Sequence, residues 1–315
     1  MTEEREGPPV DGTSIDEVLA QEVPKPGEAG VEDDPSTSSA GERPTALDSN
    51  RANELAGQRR PTVLVLAGAV GSGKTSVYAA IYERLSRGEF GGWMFAGSRT
   101  IAGLEERCFW WRTASGSPAP DMPATRQNAL PWLHICLRDA ELRRPAQDLL
   151  LGDFDGERFQ HVRDGVVDPA SLPFLRRADY VGVVIDGANI ADETRRVAER
   201  HDVLNLLSEL RKPGALAGQR SLFLIVTKID EFEKLDDAPR EAANEALAEL
   251  HRKAVESVGF DVQLLRLAVR SRVPDFPLGH GLESLLERLL IGGPVHIEHP
   301  LPEYAPSSAL GRFRG

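Results

Sequence analysis

The stretch GAVGSGKTS, Gly68 to Ser76, follows the apolar run TVLVLA and precedes VYAAIYERL, whose Val77, Ile81 and Leu85 recur at helical spacing. Gly68-x-x-x-x-Gly73-Lys74-Thr75 is the spacing of a phosphate cradle between a strand and a helix. Gly71 and Gly73 let the backbone of Gly68, Ala69, Val70, Ser72 and Ser76 fold tightly, so that its amides point inward at phosphate oxygens. The following helix N-terminus adds partial positive charge. Lys74 is placed to reach the β and γ phosphates. The Thr75 hydroxyl is placed to ligate Mg²⁺, a hard cation served by oxygen. The pattern specifies a triphosphate without specifying its base.

Two acidic strand ends compete for the metal. Asp153 follows LLLG and Asp186 follows VVI. Asp153-Phe154-Asp155-Gly156 carries the D-x-x-G spacing, in which the carboxylate holds a magnesium water and the glycine amide contacts the γ-phosphate. Asp186 lacks that spacing and reads as a structural or base-side residue, with metal ligation as its alternative. The base itself is addressed by SLFLIVTKID, which ends in Thr227-Lys228-x-Asp230. A carboxylate there accepts two hydrogen bonds, from guanine N1–H and the 2-amino group. Adenine offers neither donor, which leaves a partly buried carboxylate unpaired. The Lys228 stem is suited to lie flat on the base. Ser271, in the loop 269–274 after the last strand, is a candidate for a further base contact.

These residues need a frame. Short apolar runs at 62–67, 130–137, 148–152, 180–186, 221–230 and 262–269 alternate with helical patterns. The alternation predicts an α/β fold, a P-loop NTPase three-layer sandwich with a mainly parallel sheet. The runs at 130–137 and 148–152 lie too close for a helical crossover, which predicts one antiparallel edge strand. Residues 59–292 form the expected domain, interrupted by a long insertion at about 88–129 between the P-loop helix and the second strand. Residues 1–58 are rich in Pro, Gly, Ser and acidic side chains and read as a disordered tail. Residues 293–315 read as a second tail.

Composition narrows the partners. The 315 residues carry a net charge of −12, so no general attraction to nucleic acid or an anionic membrane is expected. The apolar runs are of strand length, short of the roughly 20 residues that span a bilayer. Cys108 and Cys136 are the two cysteines, which suits a reducing compartment and a cytoplasmic protein. The seven histidines show no metal-binding spacing.

P-loop, DxxG and TKxD in this order resemble a translation-factor-related (TRAFAC) GTPase. WMFAGSRTIAGLEERCFWWR, LLLGDFDGE and FLRRADYVGVVIDG resemble more closely the bacterial double-GTPase family, over roughly residues 60 to 290. That resemblance implies GTP or GDP with Mg²⁺, a switch acting on partner proteins of a multi-component conflict or signalling system, and a companion GTPase or effector. Two departures stand out. The base motif begins with Thr227 instead of Asn, which weakens the loop-bracing contact more than base reading. Glu157 stands where many small GTPases carry the glutamine that orients the attacking water. A carboxylate facing the γ-phosphate repels it, so slow hydrolysis, a different catalytic group, or Glu157 as a general base all remain open. In GSRT, Thr100 is the candidate to close over Mg²⁺, with Thr113 as the alternative. Arg99 is a candidate arginine finger in cis or a surface ion-pair residue. Three functions follow: a GTPase switch, a nucleotide-holding scaffold without useful turnover, and an ATP-using P-loop enzyme with Asp186 on the metal.

Overall fold

The computed structural model describes residues 45–113, 131–216, 221–258, 262–271 and 276–291. The cradle needs a rigid strand behind it, and β1 (Thr62–Ala67) is buried at every position. A strand buried on both faces belongs at the centre of a sheet covered by helices on both sides. Parallel neighbours flank it, β4 (Gln147–Gly152) on one side and β5 (Tyr180–Asp186) on the other. Beyond β5 lie β6 (Ser221–Thr227) and β7 (Val262–Arg266), again parallel. β3 (Trp132–Asp139) runs antiparallel to β4, and β2 (Trp93–Gly97) antiparallel to β3. The sheet order is β2-β3-β4-β1-β5-β6-β7.

The expected mainly parallel sheet with its antiparallel side is therefore what the chain forms. β3, the strand of opposite direction, is not outermost, because the segment expected as an insertion supplies β2. That strand is apolar but only five residues long, and of its side chains only Trp93 is buried, as suits an edge. The insertion also forms α3 (Ile101–Thr113), while its remainder, 114–129, lies outside the described residues.

Side chains alternate between the two faces of the sheet. Leu64, Leu66, Tyr180, Val184, Phe223 and Ile225 pack with α2 (Lys74–Ser86), α3 and α9 (Leu282–Ile291). Val63, Val65, Val181, Val183, Leu224 and Val226 face the other layer. That layer holds α1 (Ser49–Arg59), α4 (Gly156–Arg163), α5 (Pro173–Arg177), α7 (Glu193–Leu210) and α8 (Asp237–Val258). Each fully buried Leu or Val contributes about 1.5–3 kcal/mol. A short helix, α6 (Gly187–Ala191), links β5 to α7.

The fold begins before the expected boundary at residue 59. Asp48 caps α1 by accepting from the Arg51 amide at 2.8 Å, and Leu55 is fully buried. The Leu47 amide donates to the Trp132 carbonyl at 2.8 Å, which ties this segment to β3. Two small apolar contacts in a polar stretch gave little sequence signal. Residues 1–44 and 292–315, including the expected C-terminal tail, lie outside the described residues. Among the described residues no helix is long and apolar enough to cross a membrane.

Candidate functional site: a phosphate cradle joined to a base loop

β1 ends at Ala67, and the chain turns through Gly68–Gly73 into α2, which starts at Lys74. The turn places Gly71 at φ +77° and Gly73 at φ +99°, conformations that side-chain-bearing residues rarely adopt. Lys74 is buried, and its Nζ donates to the carbonyls of Gly68 at 2.9 Å and Ala69 at 2.8 Å. Burial lowers its pKa to about 8, against the opposing pull of the Asp153 and Asp155 carboxylates. Tyr78, one turn into α2, accepts from the Leu66 amide at 3.0 Å and donates to the Gly152 carbonyl at 2.9 Å. This buried phenol, its pKa raised by desolvation, clamps the end of β1 to the end of β4. It thereby fixes the cradle relative to Asp153.

Asp153 is 1% exposed. Its Oδ1 accepts from the Thr75 hydroxyl at 2.9 Å, and its Oδ2 accepts from Arg107 Nε at 2.8 Å. Asp153 of D-x-x-G thus lies against the P-loop threonine. Asp155 caps α4 by accepting from the Glu157 amide at 3.0 Å. Gly156 touches the cradle itself: a Cβ there would sit 2.6 Å from the Val70 amide nitrogen. Only glycine allows that approach, so the loop after β4 lies directly against the phosphate loop. Glu157 is exposed on the first turn of α4.

The base motif reaches the same loop from β6. The Thr227 hydroxyl donates to the Ser72 carbonyl at 2.7 Å. Lys228, left-handed at φ +52°, places Nζ 3.0 Å from the Gly71 carbonyl and 2.6 Å from Asp186 Oδ2. Asp186 also caps α6 through the Ala188 amide at 3.0 Å, the structural role read from its lack of D-x-x-G spacing. Glu199 of α7 accepts from the Asp186 amide at 2.8 Å and from Asn189 at 2.9 Å. Burial raises the Glu199 pKa, and the two donors hold it in place. Asp230 sits half-buried in the 3₁₀ turn Ile229–Lys234, after which α8 begins. The Ile229 amide donates to the Leu267 carbonyl at 3.2 Å, which ties this turn to the residue after β7; Ser271, four residues further on, is half-buried.

The GSRT residues are not gathered here. Thr100 is fully buried, and its hydroxyl accepts from the His134 amide at 2.9 Å, holding the start of α3 to β3. The exposed Arg99 directs its guanidinium to Gln58 Oε1 of α1 at 3.3 Å, while its amide donates to His134 Nδ1 at 3.0 Å. Thr113 is the last residue of α3. Arg107, two turns into α3, does reach the site, where it bonds Asp153. Sequence reasoning missed it because one arginine among several on a helix carries no spacing signal.

The residues present fit a magnesium triphosphate. Gly71 and Gly73 give the loop the left-handed backbone a cradle needs, and Thr75 and Asp153 supply the oxygen donors that a hard cation prefers.

Similar solved structures include the Saccharomyces cerevisiae Ski7 GTPase-like domain bound to GTP, with 14% identity, a TM-score of 0.46, and coverage of 78% of this chain and 52% of that one. A bacterial selenocysteine-specific elongation factor shows 14% identity and a TM-score of 0.36, over 74% of this chain and 29% of that one. The signal recognition particle receptor SRb-GTP/SRX complex from Chaetomium thermophilum shows 16% identity and a TM-score of 0.37, over 68% and 93%. The chain thus spans about half of the Ski7 structure and under a third of the elongation factor. No curated protein matches it. A family model, Double-GTPase 2, matches residues 62–291, from the first residue of β1 to the last of α9, and the chain belongs to that family.

Proposed function

We propose that this chain binds GTP with Mg²⁺, hydrolyses it slowly to GDP, and acts as a nucleotide-dependent switch on partner proteins. The observation that carries the reading is the direct bonding between two loops. Thr227 and Lys228 of the base motif donate to the backbone of Ser72 and Gly71 in the phosphate cradle. One nucleotide then engages both loops: Asp230 takes the guanine edge, and Lys74 with the cradle amides takes the phosphates. Thr75 and Asp153 hold Mg²⁺, which supplies charge neutralisation at the phosphates. Gly156, packed on Val70, carries the presence of the third phosphate into α4.

Slow turnover follows from the side chains around the cradle. Glu157 is exposed, and Arg99 is engaged with Gln58, so neither is set to orient water or to neutralise the transition state. A companion GTPase or effector in a multi-component conflict or signalling system supplies the missing group, and the setting is cytoplasmic. The same two placements favour a second reading, a nucleotide-holding scaffold. Phosphate release from GTP by the purified chain separates them. We expect a rate that is low but abolished by Lys74→Ala. A rate unchanged by Lys74→Ala rejects hydrolysis at this site.

A further inference from the structure

Arg107 stands on a carboxylate that the nucleotide site needs. Asp153 has two oxygens, and Oδ1 already takes the Thr75 hydroxyl, a bond that leaves the threonine lone pairs free for a metal. Oδ2 accepts from Arg107 Nε at 2.8 Å, which sets a guanidinium against the carboxylate that would also accept a magnesium-bound water. Arg107 is itself mostly shielded, with its side chain 15% exposed, so solvent does little to screen it. Its guanidinium is held from behind as well: the second nitrogen donates to the Gly103 carbonyl, one turn back along α3, at 3.1 Å.

A guanidinium and a divalent ion beside one buried carboxylate repel each other strongly. We infer that Arg107 and the metal are alternative partners of Asp153, so that Arg107 is a positioning residue coupling metal occupancy to α3. The start of α3 is pinned, because Thr100 is bonded to His134. Release of Arg107 therefore alters the helix from the Gly103 turn onward. Gly103 packs against the segment ahead of α1, where a Cβ would meet the Thr45 carbonyl oxygen at 1.7 Å.

The inference rests on Asp153 being the metal-side carboxylate of the proposed site, and its test keeps the two apart. A fluorescent GDP analogue is titrated with Mg²⁺ on the full-length chain, wild type against Arg107→Gln. Losing a competing charge is expected to lower the half-saturating Mg²⁺ about tenfold, while Arg107→Lys stays near the wild type. A purely structural Arg107 lowers stability without moving that midpoint, and an unchanged or higher midpoint overturns the inference. Should Arg107→Gln fail to fold, hydrogen exchange on the wild type decides. Mg²⁺ added to the GDP complex is expected to change protection across the α3 amides after Gly103, and no change overturns the inference. A wild type that binds no guanine nucleotide overturns the underlying reading instead, and this inference with it.

Discussion

Thr227 shows how one side chain ties two loops together. A threonine at the head of the base motif is shorter than the usual asparagine, and a weaker brace is the expectation. Its hydroxyl nonetheless donates to the Ser72 carbonyl at 2.7 Å, because Gly73 leaves room: a Cβ there would lie 3.3 Å from Thr227 Cγ2. Thr227→Val keeps the shape and orphans that buried carbonyl, at a cost of about 1–3 kcal/mol. Calorimetry should read the loss as weaker GTP binding, with Thr227→Ser near the wild type. Equal affinity in the valine variant shows that the brace does not matter to the nucleotide. Residues within contiguous motifs were legible because the chemistry and the neighbours are both local. Thr100 was not, since its hydroxyl partner, His134, comes from a strand 34 residues further on. Arg107 was invisible for the same reason, as its partner Asp153 lies 46 residues away.

Elements buried on both faces announced themselves. β1 and β5 were readable as continuous apolar runs to the residue, and β6 ran only into the 3₁₀ turn that follows it. The edge strand β2 and the helix α1 were not, because each buries only a few side chains and neither shows a sustained period. α1 still matters, with Leu47, Ala52 and Leu55 all buried. A chain begun at Gln58 loses these contacts and exposes the Trp132 edge of β3. Burial of that size is worth about 3 kcal/mol, which corresponds to roughly 10 °C in melting temperature for a domain of this length. A chain begun at Thr45 is expected to melt with the full-length protein. Equal melting temperatures for the two truncations would show that α1 adds nothing to the fold.

Across the whole molecule the parallel sheet brings the carboxyl ends of β1, β4, β5 and β6 to one edge, where open α/β sheets bind their ligands. Ser72 is joined there to Thr227, Asp153 to Thr75, and Asp186 to Lys228, so the segments that follow four strands are hydrogen-bonded to one another in these pairs. The central claim is that this edge reads guanine through Asp230 while it grips a triphosphate. Competitive titration of the purified chain with GTP, ATP and xanthosine triphosphate, on the wild type and on Asp230→Asn, tests it most directly. The account predicts that ATP fails to displace GTP from the wild type, and that Asp230→Asn loses at least about tenfold in GTP affinity while gaining xanthosine triphosphate. ATP competing on equal terms, or GTP affinity untouched in Asp230→Asn, would contradict it.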